Sequence, residues 1–194
     1  MKRIGSHVSI SKENFYDDIE MTEKLNIKYY IFHPGSDVNK MGVTKSLVEM
    51  ANQINKTLDK FSKVCLVVEI MAGTNNTTNS NIGNKDRFGF CLDTCHMFAS
   101  GYDFRTQHKY DNLISKIDNL IGLDTIKVIH LNDSKHPIGS RKDRHEHLGM
   151  GKIGIDAFRF FMEDERLDEK VFILETPSDE KYKEEIQILR DFLL

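Results

Sequence analysis

No aliphatic run in the chain is longer than Val64-Cys65-Leu66-Val67-Val68. A membrane-spanning helix needs about 18 such residues, and Met1-Lys2-Arg3-Ile4-Gly5 leads straight into polar sequence without the apolar centre of a secretion signal. The expectation is an intracellular protein, cytoplasmic or nuclear, with no membrane partner. Cysteine is scarce. Cys65, Cys91 and Cys95 cannot form a complete set of bridges, and Cys91-x3-Cys95 lacks the two-residue spacing of a zinc knuckle or redox pair. They read as reduced thiols. Positive charge is not in excess either, since 27 Lys and Arg face 30 Asp and Glu for a formal charge of −3. That argues against a polybasic nucleic-acid arm, although a DNA binder whose site carries bound cations stays open. No stretch is rich enough in Pro, Gly or Ser to mark a linker, and no internal repeat is present. Residues 1–194 therefore read as one domain.

Short apolar runs alternate with longer amphipathic segments, the rhythm of parallel strands joined by helices. Strands are expected at Arg3–Ser9, Ile27–His33, Val64–Glu69, Phe88–Asp93, Ile126–Leu131 and Val171–Glu175. Several are too uniformly apolar for a half-exposed antiparallel sheet. Helices are expected at Glu13–Leu25, Thr44–Phe61, Gln107–Ile121, Ile155–Glu163 and Glu180–Leu193, where apolar residues recur at three- and four-residue steps. From Met71 to Arg87 that period vanishes into a polar Asn/Thr loop. One outward face of the flanking strands should then lack a covering helix and favour self-association.

His33, Glu69, Asp93, His130 and Glu175 each stand at or beside the last position of an expected strand. Parallel barrels and sheets build their sites at those ends. Singly, a strand-end carboxylate caps the following helix, and a lone histidine is a hydrogen-bonded core residue. Converging together without cationic partners, they would repel one another and be costly to desolvate, so a divalent cation is the expected counter-charge. In Asp93-Thr94-Cys95-His96 the imidazole lies three residues on, in the loop after the strand. In Asp143-Arg144-His145 an extended backbone puts both donors on one side. Mixed nitrogen and oxygen donors suit Zn²⁺, with Mn²⁺ or Fe²⁺ as alternatives, and carboxylates shared among close metals suit phosphodiester hydrolysis. Arg141, Lys142 and Arg144 form a basic loop at which a phosphate backbone could dock, the plainer reading being a solvated loop.

Gly5-Ser6-His7-Val8-Ser9, Phe32-His33-Pro34-Gly35-Ser36, Cys91-Leu92-Asp93-Thr94-Cys95-His96, His130-Leu131-Asn132-Asp133-Ser134, Asp143-Arg144-His145-Glu146-His147-Leu148-Gly149 and Leu174-Glu175-Thr176 occur in this order. They resemble endonuclease IV, the family of trinuclear-zinc apurinic/apyrimidinic endonucleases. The resemblance implies a TIM barrel that cuts double-stranded DNA 5′ to an abasic site in base-excision repair. It implies that Glu69 bridges two zincs and helps hold the attacking hydroxide. Asp93, His130 and Glu175 would complete one of those two ions, His33 would bind the other, and His96, Asp143 and His145 would hold the third.

The chain has 194 residues, against about 250 for a full eight-stranded barrel. Two strand–helix units of the family find no counterpart between Ser9 and the His33 strand, and with them goes a second histidine for the His33 zinc. The expected fold is α/β, TIM-barrel-like parallel strands with surrounding helices, incomplete at about six strands. Three zincs follow from the family, with two sites complete. Were the Arg3–Ser9 strand to lie beside the Ile27–His33 strand, His7 could supply the missing donor or orient a ligand. Two rival readings remain: a catalytically silent metal- or DNA-binding relative, and a metal-dependent sugar isomerase on the same barrel type, which would leave Asp143-x-His145 without a task.

Overall fold

The computed structural model describes residues 5–35, 42–70 and 81–194. They form two compact units: one holds the described residues up to Val68 together with 81–89, the other Glu69, Ile70 and Phe90 to Leu194.

The first unit contains α1 (Gly5–Lys24), β1 (Tyr29–Phe32), α2 (Val43–Lys60) and all but the last residue of β2 (Cys65–Glu69). β1 and β2 pair in parallel, Tyr29 opposite Cys65 through Phe32 opposite Val68. In α2 the buried residues Leu47, Ala51, Ile54 and Leu58 recur at four- and three-residue steps, a single apolar stripe. Glu23 accepts from the backbone N–H groups of Lys63 and Val64 at 2.6 and 3.1 Å, which ties the end of α1 to the entry of β2.

Gly5–Ser9 open α1 instead of forming the expected strand, and Arg3 and Ile4 lie outside the described residues. Among the described residues β1 has β2 as its one ladder partner. A segment without a neighbouring strand satisfies its own N–H and C=O groups as a helix. His7 is thus a helical residue, and its expected place on a strand beside β1 disappears.

Of the Met71–Arg87 segment, residues 71–80 lie outside the described residues. The rest docks on α2: Asn55 donates to the Asn81 carbonyl and accepts from Gly83 N–H, both at 2.9 Å. The Arg87 guanidinium reaches the carbonyls of Phe61 and Leu58 at 2.6 and 2.5 Å. β2 and β3 (Phe88–Asp93) are buried at every residue, so the bare face expected beside this loop is not there. Ile82, in the described part of this segment, is itself buried.

The second unit holds the end of β3, then α3 (Thr94–Ala99), α4 (Gln107–Ile121), β4 (Ile126–Leu131), β5 (Asp133–Ser134), β6 (His145–Glu146), α5 (Ile155–Met162), β7 (Val171–Leu174) and α6 (Tyr182–Asp191). β4 pairs in parallel with β3 on one side and β7 on the other, while β5 and β6 form a short antiparallel hairpin. Tyr110, Phe104 and Phe161 anchor the core, Phe161 meeting the other two rings edge-on at 5.0 and 5.5 Å. Five parallel strands result among the described residues, one fewer than expected because of the helical N-terminus, and fewer than the eight of a closed barrel. Cys65, Cys91 and Cys95 are buried and unbridged. No helix among the described residues is long and apolar enough to cross a membrane.

Candidate metal centre

The strand ends of the second unit stop in step. Asp93 closing β3 stands opposite His130 in β4, and His130 stands opposite Ile173 in β7. Glu175, just past β7, donates its N–H to the Leu131 carbonyl at 3.3 Å, and Ile70 N–H bonds to the Cys91 carbonyl at 2.9 Å, placing Glu69 beside the end of β3. His96 is on α3 rather than in a loop. Asp93 caps that helix, its Oδ1 accepting from His96 N–H at 2.7 Å, so one carboxylate both starts the helix and stands in the site. The hairpin then delivers His145 opposite Ser134. Its Nδ1 lies 2.7 Å from the Glu175 carbonyl, which makes Nδ1 the protonated nitrogen and leaves the Nε2 lone pair for the site.

Two adjoining donor sets arise. In the first, His130 Nδ1 lies 3.6 Å from Glu69 Oε2, 3.8 Å from Asp93 Oδ2 and 3.2 Å from Glu175 Oε2. In the second, Asp143 reaches His96 Nε2 at 3.2 Å and His145 Nε2 at 3.0 Å, and the rings of His96 and His145 are 5.9 Å apart. Ligands about 2.1 Å from a tetrahedral cation stand about 3.4 Å from one another. The separations observed are of that size. Glu69, Asp93, His130 and Glu175 have donor atoms mutually within 4.8 Å, as do Asp93, His96 and His145, so Asp93 is common to both groups. Buried His130 Nδ1 and His145 Nε2 make no hydrogen bond of acceptable geometry despite the carboxylates nearby. Each fits a donor aimed into its own set. The residues present therefore suit divalent metal with mixed nitrogen and oxygen ligands.

The electrostatics agree. Glu69, Asp93, His96 and His130 are all nearly inaccessible to solvent. Burial pushes the Glu69 carboxyl up, but the nearby His130 and His96 imidazoles outweigh it and hold the group below the ordinary carboxylate range. Glu175 is held low chiefly by His130, whereas burial raises Asp93. Burial opposes charge on the two imidazoles, yet Glu69 and the neighbouring acids bring His96 to about 9, and Cys91, Glu175 and Glu69 bring His130 to about 12. Such a cluster demands positive charge, from protons or from a metal in their place.

His33 belongs to the first unit, exposed one residue beyond β1, and neither donor set draws on that unit. Arg141, Lys142 and Arg144 are exposed on the loop that carries half-exposed Asp143. Arg141 takes a left-handed φ of 56° and its N–H bonds to the Ala99 carbonyl at 2.9 Å, tethering the basic loop to the end of α3.

Three supporting residues escape a strand-end reading. Asn132 donates to Asp93 Oδ2 at 2.7 Å and accepts from Cys95 N–H at 2.9 Å. Asp133 gathers the loop after the hairpin, and Glu185 reaches that loop from α6. A polar pair directly after the apolar β4 run, and a glutamate one helical turn before buried Leu189, were the available signals.

Residues 5–192 match a family model described as a xylose isomerase-like TIM barrel. A probable endonuclease 4 of Phocaeicola vulgatus is 43% identical over 196 residues, covering 94% of this chain and 68% of that protein. An apurinic-apyrimidinic endonuclease of Caenorhabditis elegans is 42% identical, covering 89% of this chain and 46% of its own length. The crystal structure of endonuclease IV from Thermus thermophilus superposes with a TM-score of 0.80 at 33% identity, over 98% of this chain and 71% of that one. The chain thus spans about two thirds of the bacterial relatives it matches, 68% and 65% of the first two, and less of the nematode protein.

Proposed function

Because the chain belongs to the endonuclease IV family, we propose that it is a metal-dependent apurinic/apyrimidinic endodeoxyribonuclease, hydrolysing the phosphodiester 5′ to abasic sites in double-stranded DNA during base-excision repair, inside the cell. The observation that carries this reading is the pair of adjoining donor sets, one about His130 and one about Asp143, spaced as ligands about neighbouring cations.

Glu69, Asp93, His130 and Glu175 hold one ion, and His96, Asp143 and His145 hold another. His33 is proposed as a ligand of a third. Zn²⁺ fits these donors best, with Mn²⁺ or Fe²⁺ as alternatives. Bound divalent cations would supply Lewis acidity to the scissile phosphate and lower the pKa of water beside it. The Glu69 carboxylate has one oxygen toward His96 and the other toward His130, which places it to orient the attacking water between the two sets. His145 is held in one tautomer by the Glu175 carbonyl, so its Nε2 keeps its direction during turnover. Arg141, Lys142 and Arg144 meet backbone phosphates, positioning the duplex without reading its sequence.

A sugar isomerase is the weaker reading, because it leaves the contact of Asp143 with His96 and His145 without a purpose. A silent metal- or DNA-binding relative draws support from the direct passage of α1 into β1, with no further strand–helix unit to bring another histidine toward His33. Metal content per chain, measured together with incision of an abasic duplex before and after chelation, separates the nuclease from the other two. Metal-bound protein that cuts supports the nuclease, and metal-bound protein that does not cut leaves the silent binder or the isomerase.

A further inference from the structure

Glu185 sits on α6 and is 3% exposed, and no lysine or arginine among the described residues pairs with it. A buried carboxylate is costly unless its oxygens are satisfied. Here both are. Oε1 lies 3.1 Å from His147 Nδ1 and accepts from Leu148 N–H at 2.9 Å, and Oε2 accepts from the Thr176 hydroxyl at 2.6 Å. These partners are not scattered. Thr176, itself buried, directly follows Glu175, and His147 and Leu148 follow His145 along the hairpin exit.

We propose that Glu185 is a positioning residue that sets the separation of the Glu175 and His145 segments, and through them the geometry of both donor sets. This rests on the metal-site reading above. The two segments are linked directly once, by His145 Nδ1 and the Glu175 carbonyl at 2.7 Å. Glu185 adds a second bridge, one oxygen to each side. With a single link the segments can pivot about it; with two their spacing and relative rotation are fixed. Groups that orient metal ligands from behind typically change metal affinity 10–100-fold when removed. His147 is a natural strut in this arrangement, a histidine that follows the ligand motif and orients it.

The test is titration of the metal-depleted full chain with Zn²⁺ against a chromophoric chelator, beside the variants Glu185→Ala, Glu185→Gln, Thr176→Val and Leu189→Ala. Glu185→Ala should weaken zinc binding by about 10-fold or more. Glu185→Gln should recover most of it, since its amide oxygen still accepts from Leu148 and its amide nitrogen can donate to Thr176. Leu189→Ala, a cavity in the same helix, should lower the melting temperature without weakening zinc binding, which separates positioning from mere stability. Should Glu185→Ala fail to fold, Thr176→Val decides, and a loss of about 5-fold or more is expected when one side of the bridge is removed. Zinc affinity within twofold of the parent in Glu185→Ala, or in Thr176→Val if the former does not fold, overturns the inference. So does an equal loss in Leu189→Ala. A parent chain that binds no zinc overturns the metal-site reading itself, and the inference with it.

Discussion

A methyl group on Gly151 would collide with Asp133 Oδ1. The closeness has a cause: Asp133 is fully buried and accepts from the N–H groups of Gly151, Ile153 and Gly154 at 3.0, 2.8 and 3.1 Å. The loop leaving the β5–β6 hairpin is wound around one carboxylate. A side chain at Gly151 must push it apart, and the Ser134 carbonyl, 2.5 Å from the same methyl, blocks the other way out. Gly151→Ala should destabilise the fold by about 1–3 kcal/mol, read as a melting midpoint lowered by at least about 2 °C. An unchanged midpoint contradicts the packing argument.

Asn132 is the polar counterpart inside the core. Leucine there keeps the branching at Cγ but strands the Cys95 N–H and Asp93 Oδ2, both buried. An unsatisfied buried group costs about 1–3 kcal/mol. Urea unfolding of Asn132→Leu should show a loss of at least that size, whereas a neutral result means those bonds contribute nothing net.

Acid sensitivity has a source remote from the metal centre. Burial pushes the Asp164 carboxyl up, but bonds from the Arg166 guanidinium and the Tyr110 hydroxyl, each at 2.7 Å, hold it below its ordinary value. A carboxyl depressed in the folded state adds stability above its unfolded pKa, about 3.9, and that share is lost as pH falls through the folded value. Asp164→Asn should therefore be less stable than the parent at pH 7, the gap closing below about pH 4. A gap that stays constant across the range would show that shape, not charge, is responsible.

β7 is the second unit's exposed flank. Val171 and Ile173 are 40% and 37% exposed, on a strand whose one ladder partner among the described residues is β4. An open apolar edge invites a further strand. Sedimentation velocity should reveal concentration-dependent self-association that Ile173→Lys reduces, and a parent that stays monomeric with rising concentration contradicts it.

Much of the site was legible because parallel strands end in step: an acid or histidine at the close of an apolar run, repeated at Glu69, Asp93, His130 and Glu175, already implies convergence. The strands Phe88–Asp93 and Ile126–Leu131 and the helix Gln107–Ile121 occur with the bounds expected of them. The N-terminal helix was not legible, since Val8 and Ile10 favour extended chain locally and the absence of a neighbouring strand is not a local property. α3 is too short to show a period, and its cap is the ligand candidate Asp93 itself. The β5–β6 pairing rests on two-residue strands, and Glu185 acts across 38 residues to His147, a partner that the helical pattern around Glu185 does not name.

Metal-dependent incision beside an abasic site is tested most directly by mapping the ends produced when the zinc-loaded chain meets a duplex carrying one such site. The predicted result is a single nick 5′ to the site, leaving a 3′-hydroxyl and a 5′-deoxyribose phosphate, lost on chelation, restored by zinc and absent from folded Glu69→Gln. No nick from a chain that retains its metal, or an equal nick from Glu69→Gln, would contradict it.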